Sequence, residues 1–245
     1  MTKKVKWKNL HLHLPRSNDE FTFSEVLGEI DQYHIEMVLS SLSKEDTVID
    51  LGAHIGLFSL AVSEKVGRVI SLEPNQKNAK IFRENMEANK IENIFLIEKA
   101  VSKKGGLRPF FINTEFPARH SLYLDPFFNW NGKLSKEGEI DTVSLEEIMQ
   151  EYGIERVRVL KMDIEGAEYE VLLNAPKHVL KRIDLILLET HEPFENYSAE
   201  EITNHLKECG FECLEGEAHR FEFGDASLIG RNFLAVNRLI LPQDL

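Results

Sequence analysis

Asp50, Gly52, Gly56 and Glu73 are the residues of this 245-residue chain whose types and spacing point most directly to chemistry. They lie around the stretch Thr47-Val-Ile-Asp-Leu-Gly-Ala-His-Ile-Gly56, a short apolar run that meets an acid and then two glycines spaced Gly-x-x-x-Gly. Leu57, Phe58, Leu60 and Ala61 follow at helical spacing. The pattern predicts a buried strand turning straight into a helix, through a loop whose backbone must come close to something. Seventeen residues after Gly56 a second apolar run, Val69-Ile-Ser-Leu72, ends in Glu73. An acid at that strand end is placed to accept hydrogen bonds from the two hydroxyls of a ribose. The pair reads as a nucleoside-cofactor site and favours an enzyme over a scaffold.

Such a site needs a sheet to hold it. Strands are predicted at 47–51, 68–73, 93–98, 157–162 and 183–189, and helices at 32–42, 56–65, 76–89, 167–174 and 199–209. Ser144-x-x-Glu147 and Ser198-x-x-Glu201 are capping boxes, each opening a helix. Val157–Met162 and Ile183–Leu188 are nearly continuous apolar runs, as a sheet covered on both faces requires. Alternation of this kind predicts an α/β fold with a doubly wound, parallel sheet. Two late runs, Phe211–Leu214 and Asn232–Asn237, have no helical pattern between them and predict an antiparallel hairpin finishing the sheet edge. Residues 1–45 then form an N-terminal extension with one helix, and 46–245 a single domain.

Within that domain, 107–142 breaks the rhythm. Its flanks are strand-like, but residues 113–138 have no period, and loops of that length are usually lids, binding loops or disorder. Seven of the chain's 22 aromatics fall in residues 110–130, which favours a folded lid over a floppy linker.

Composition removes several partners. The net charge of −12 disfavours a phosphate-backbone partner, so nucleic acid is excluded; Lys3, Lys4, Lys6 and Lys8 read as a solvated start. No apolar run approaches the roughly 18 residues of a membrane span, and the basic N-terminus lacks a signal core. Cys209 and Cys213 read as reduced thiols of a cytoplasmic protein rather than a metal site. A homo-oligomer stays open.

Two cofactors use a strand, a glycine loop and a second-strand acid: a nicotinamide dinucleotide and S-adenosylmethionine. The dinucleotide needs Gly-x-Gly-x-x-Gly, because its pyrophosphate sits against the helix N-terminus. Here the middle position is His54, which crowds that approach. S-adenosylmethionine has no phosphate; Asp50 would serve its ammonium, and loop amides its carboxylate. A nicotinamide-dependent oxidoreductase remains the runner-up, and a non-catalytic binding subunit on the same fold is the third reading.

Asp50-Leu-Gly-Ala-His-Ile-Gly56, Glu73-Pro-Asn75, Ala100-Val-Ser102, Lys161-Met-Asp-Ile-Glu-Gly-Ala-Glu168 and Leu187-Leu-Glu189 resemble the successive motifs of the FkbM family of S-adenosylmethionine-dependent methyltransferases. Ser121-Leu122 and Asp141-Thr-Val-Ser-Leu-Glu146 are weaker echoes, and the resemblance spans about 30–237. The ordered set is specific; the first two motifs alone occur across most class I methyltransferases. One departure is His54, where the family commonly has Asn. The resemblance implies a Rossmann-like class I fold, with a mostly parallel seven-stranded sheet, and O-methylation of a hydroxyl on a sugar or natural product. It implies cofactor contacts from Asp50, Gly52, Ala53, His54, Gly56, Glu73, Pro74 and Asn75, with the adenine lying against Ala100 and Val101. The partner is then a small-molecule or carbohydrate acceptor.

Asp163 ends the fourth main strand and would face the cofactor's sulfonium, whose positive charge is lost on transfer. Glu165 follows in the loop, where it could orient or deprotonate an acceptor hydroxyl. Glu168, at a helix start, belongs to the same cluster of acids and has an ordinary macrodipole reading beside a functional one. His191, beyond Glu189 at the end of the fifth strand, is a natural general base, with an unperturbed pKa near ~6.5. Asp163, Glu165 and His191 are therefore the candidate catalytic residues, and His120 in the lid could touch the acceptor. A divalent metal on Asp163, Glu189 and His191 is the alternative; the spacing alone does not demand it.

Overall fold

Leu10, Leu12 and Leu14 alternate with His11 and His13, and a period of two makes a strand. The computed structural model describes residues 2–15, 35–113, 120–123, 134–192, 197–223 and 226–237, in two units, Met1–Glu98 and Lys99–Leu245. In the first unit, β1 (Thr2–Trp7) and β2 (Leu10–Pro15) form an antiparallel hairpin turning at Lys8, which has φ 49°. The four exposed lysines expected to be a solvated start thus belong to ordered structure.

The hairpin's outer edge is covered in an economical way. Asn85 and Asn89, one turn apart on a helix, each bond both the N–H and the C=O of a β2 residue. Asn89 does this to His11 (2.8 and 2.7 Å) and Asn85 to His13 (2.5 and 3.3 Å). Side-chain amides thereby stand in for a third strand and leave no pairing edge there.

The rest of the first unit follows the alternation expected. After α1 (Ile35–Ser40) come β3 (Thr47–Leu51), α2 (Leu57–Ser63), β4 (Arg68–Leu72), α3 (Gln76–Asn89) and β5 (Ile94–Ile97). Residues 32–34 of the first expected helix lie outside the described residues. β3, β4 and β5 pair in parallel, with Leu51 beside Leu72 and Val69 beside Ile94. Every β3 residue is buried, Val48, Ile49 and Leu51 as apolar residues of a covered strand and Thr47 and Asp50 as polar ones.

The second unit holds two sheets. β6 (Ala100–Val101), β7 (Gly106–Asn113) and β8 (Leu134–Val143) make a three-stranded sheet, β7 antiparallel and β6 parallel to β8. Then come α4 (Leu145–Glu151), β9 (Val157–Met162), α5 (Glu168–Asn174), α6 (Lys177–Leu180), β10 (Ile183–Glu192), α7 (Ala199–Glu208), β11 (Phe211–Phe223) and β12 (Ala226–Asn237). β9 and β10 are parallel; β12 runs antiparallel to β10, and β11 antiparallel to β12. The C-terminal hairpin is therefore present and much longer than the runs that announced it, and the strand pairing is mixed. Both capping boxes form, Ser144 with Glu147 and Ser198 with Glu201.

Of the expected lid, 114–119 and 124–133 lie outside the described residues, taking Phe116, Phe127, Phe128 and Trp130 with them. The described part is packed. Ser121 exchanges two backbone hydrogen bonds with Phe111 (2.9 and 3.0 Å), and Ala100, Phe110 and Leu122 form a buried cluster flanked by Ile112, Tyr123 and Ile140. Among the described residues no helix is long and apolar enough to cross a membrane.

Candidate functional site

In the first unit the loop from β3 to α2 is built from left-handed residues: Gly52 (φ 77°), His54 (φ 52°) and Gly56 (φ 89°). Histidine and asparagine are among the few side chains that tolerate that region, which explains why His54 can stand where Asn is common. The loop is stitched to β4. Gly52 and Ala53 donate their amides to the Leu72 carbonyl (3.1 and 2.9 Å), and Gly56 donates to the Ala53 carbonyl (2.8 Å). His54 donates its amide to Glu73 Oε2 (2.8 Å). These four amides are used within the protein, so the expectation that loop amides meet a ligand carboxylate does not hold for them.

Glu73 is a clasp as well as a candidate ligand group. Its other oxygen accepts from the Asn75 amide (2.8 Å) and from Asn78 Nδ2 (3.4 Å), tying the two strand-end loops together. Asn75 in turn caps α3, accepting from Lys77 and Asn78 (2.9 and 3.1 Å), with the half-buried Pro74 between clasp and cap. Asp50 is fully buried, and its Oδ2 accepts from Ser59 Oγ at 2.5 Å, with Ser71 Oγ 2.7 Å beyond.

Gly56 has a packing reason to be glycine: a Cβ there would lie 2.1 Å from two ring carbons of Phe82. Gly56→Ala should lower the unfolding free energy by about 2–5 kcal/mol, combining left-handed strain with overpacking. Urea denaturation checks this; wild-type stability would contradict the packing.

In the second unit, Asp163, Glu165 and His191 lie close together. Glu165 (φ 53°) and Gly166 (φ 98°) form a left-handed turn after β9. His191 Nε2 lies 3.4 Å from Glu165 Oε2 and 3.9 Å from Asp163 Oδ1, while Nδ1 lies 3.1 Å from Glu168 Oε1. The ligand atoms of Asp163, Glu165 and His191 lie within 4.8 Å of one another, so the set close enough to share a cation contains Glu165 where the sequence reading put Glu189. Lys161 Nζ, 3.6 Å from Asp163 Oδ2, supplies a positive charge of the protein's own.

Sequence reasoning left Glu168 between a functional role and the helix dipole, and missed Glu170. Glu168 is completely buried and accepts the amides of Ile164 and Gly166 (both 2.9 Å) besides facing His191. Its place three residues after Glu165 was the available signal. Glu170 accepts from Ser102 Oγ (2.8 Å), from Arg108 Nη1 (3.0 and 3.2 Å) and from the Tyr123 hydroxyl, joining the three-stranded sheet to α5. Ala100 and Val101 are buried in β6 beside Thr142 and Val143. His120 accepts the Asn113 amide through Nδ1 (3.1 Å) and packs edge-on to Phe110. Cys209 and Cys213 are free thiols.

The crowding of acids sets the protonation. Burial, then the Asp163 charge, push Glu189 from 4.5 up to about 7, with Glu165 adding and His191 and Lys161 opposing. Burial alone would push His191 down, but the carboxylates of Glu165 and Glu168 outweigh it and hold the ring well above 6.5. Both groups keep protons in the folded chain that they would release unfolded, Glu189 between 4.5 and about 7 and His191 above 6.5. Their stabilisation is therefore present at low pH and lost as pH rises through the folded values. Tm should fall as pH rises from 4.5 to about 7, and Glu189→Gln should flatten that fall. A scanning-calorimetry series in which the variant keeps the full slope would contradict this.

Known proteins resemble the chain in sequence and in fold. The family model described as the methyltransferase FkbM domain matches residues 50–213. Methyltransferase sdnD of Sordaria araneosa is 24% identical over 63% of this chain and 70% of its own length. Hexuronic acid methyltransferase AglP of Haloferax volcanii is 26% identical over 68% of this chain, which spans 64% of that protein. Among solved structures, the M. jannaschii tRNA methyltransferase aligns with 97% of this chain and 57% of its own, at a TM-score of 0.50 and 13% identity. That likeness is one of fold, an α/β methyltransferase fold. It also corrects the exclusion of nucleic acid: the same fold serves an enzyme named for tRNA, so this fold admits such a partner.

Proposed function

From the chain's membership of the FkbM methyltransferase family, which makes it a methyl-transfer enzyme, we propose that it is an S-adenosylmethionine-dependent O-methyltransferase acting on a hydroxyl of a sugar, glycan or natural product. The observation that carries this reading is the convergence of Asp163, Glu165 and His191 at the ends of β9 and β10. Ligand crevices of α/β sheets lie at those strand ends.

The donor set fits the cofactor's chemistry. Asp50 and Glu73 are carboxylates suited to an ammonium and to ribose hydroxyls, and a carboxylate takes about four donors. A pyrophosphate's approach needs glycine at the middle of Gly-x-Gly-x-x-Gly, and His54 stands there. This supports S-adenosylmethionine over a nicotinamide dinucleotide. We assign Asp50, Gly52, Ala53, His54, Gly56, Glu73, Pro74, Asn75, Ala100, Val101 and Asp163 to the donor. When bound, it supplies an activated methyl group on a sulfonium.

The chain's own residues supply alignment and a place for the acceptor's proton. The acids around His191 favour its protonated ring, which argues against the general-base role expected of it and leaves one carboxylate of the Asp163–Glu165 pair to receive the hydroxyl proton. Sugars enter as acceptors because AglP, a relative by sequence, is named for a hexuronic acid. The test is a screen of hydroxylated acceptors, with uronic acids and tRNA among them, using isotope-labelled methyl donor with and without chelator. Label on a sugar or natural-product oxygen supports the reading; label on nucleic acid alone, or on none, overturns it.

A further inference from the structure

The two arms of the candidate catalytic set, the Glu165 turn and the His191 ring, come from different elements and meet a single third group. That group is Glu168, the first residue of α5 and completely buried. One of its oxygens accepts the Ile164 amide at 2.9 Å and lies 3.1 Å from His191 Nδ1. The other accepts the Gly166 amide at 2.9 Å. The two amides bracket Glu165, whose left-handed backbone an ordinary side chain adopts only when its surroundings impose it. A buried carboxylate is costly unless fully bonded, and these contacts satisfy it.

We infer that Glu168 is the positioning residue of the site, one carboxylate fixing both the turn that presents Glu165 and the ring that faces it. The inference rests on the methyl-transfer reading for its kinetic consequence, and on geometry alone for the rest. With Glu168 accepting at Nδ1, the ring nitrogen turned toward Glu165 and Asp163 is Nε2. Ring orientation set by a buried carboxylate on the far nitrogen is a general device of histidine sites. Ser121 supports the same turn from the described lid segment, donating its hydroxyl to the Glu165 carbonyl at 2.7 Å.

The charged groups around the ring are Lys161, Asp163, Glu165 and Glu168 from β9 and the segment into α5, and Glu189 from its own strand. Tyr169 of α5 donates its hydroxyl to the His191 carbonyl at 3.4 Å. Removing the Glu168 charge takes away one of two leading anionic partners, so the ring should lose its proton at lower pH.

The experiment follows the ring directly by nitrogen-15 NMR of histidine-labelled full-length chain, with His191 assigned from a His191→Gln sample. In wild type, Nδ1 should carry a proton across neutral pH. In Glu168→Gln the His191 titration should move to lower pH, and kcat should fall about 100-fold, with its alkaline limb shifted the same way and S-adenosylhomocysteine affinity within about threefold. An unchanged titration and an unchanged pH limb would overturn the inference. If the variant does not fold, the wild-type spectrum still decides, since an Nδ1 without a proton at neutral pH contradicts the assignment. A moved titration in a chain that methylates no hydroxyl would retain the positioning role and fail the methyl-transfer reading instead.

Discussion

Replacing Glu73 with alanine should raise the dissociation constant for S-adenosylhomocysteine by about 10²–10⁴-fold. Two hydrogen bonds from ribose hydroxyls to a charged acceptor are worth about 1.5–3 kcal/mol each, and every 1.4 kcal/mol is tenfold. The structure adds a second expectation. Glu73 also accepts the His54 and Asn75 amides, so the alanine variant should lose thermal stability as well as affinity. Glu73→Gln separates the two, since it keeps one carbonyl oxygen and most of the volume. Its stability should lie between wild type and alanine, while its affinity stays low because the charge is gone. Titration calorimetry beside a melting curve reads both. Affinity within about threefold of wild type in either variant would remove the ribose assignment and leave Glu73 as a loop clasp.

The second large effect is on turnover. Asp163→Asn and Glu165→Gln keep shape and remove a proton acceptor, and each should lower kcat by about 10²–10⁴-fold. Residues that act as one unit are not additive, so the double variant should cost little more than the worse single. Glu165→Gln should leave the donor dissociation constant almost unchanged, whereas Asp163→Asn should weaken it, because only Asp163 is assigned to both donor and chemistry. Single-turnover assays with labelled donor separate the two. Additive losses would point to two independent roles, and retained kcat in both would move the proton acceptor elsewhere, with Glu189 next in line.

The strands and helices around the site were legible because their signals are local. β3 and β9 were readable from apolar runs, the helices after 144 and 198 from capping boxes, and α3 from its period. The β1–β2 hairpin was missed although Leu10, Leu12 and Leu14 carry its alternation; four lysines dominated the reading of that segment. Its edge cover could not have been read at all, since Asn85 and Asn89 meet β2 across more than seventy positions. The length of the C-terminal hairpin was hidden for another reason. Residues 215–231 mix polar and apolar types, and only the ends of β11 and β12 are apolar enough to announce strands.

At the site, residue identity was readable and partnership was not. Asp163, Glu165 and His191 were singled out because acids and imidazoles at strand ends are chemically able. Glu168 was left between a functional role and the helix dipole, which any acid in a first turn satisfies. Its link to His191 depends on two strands being neighbours, a fact no local pattern carries. Gly56 held the opposite lesson: its spacing suggested a ligand's approach, and the Phe82 ring supplies a sufficient reason of its own.

Titration calorimetry of the chain with S-adenosylhomocysteine and, separately, with NAD decides which nucleoside the Asp50 and Glu73 loops hold. One S-adenosylhomocysteine should bind per chain, with no heat from NAD. Binding of NAD with none of S-adenosylhomocysteine would contradict it.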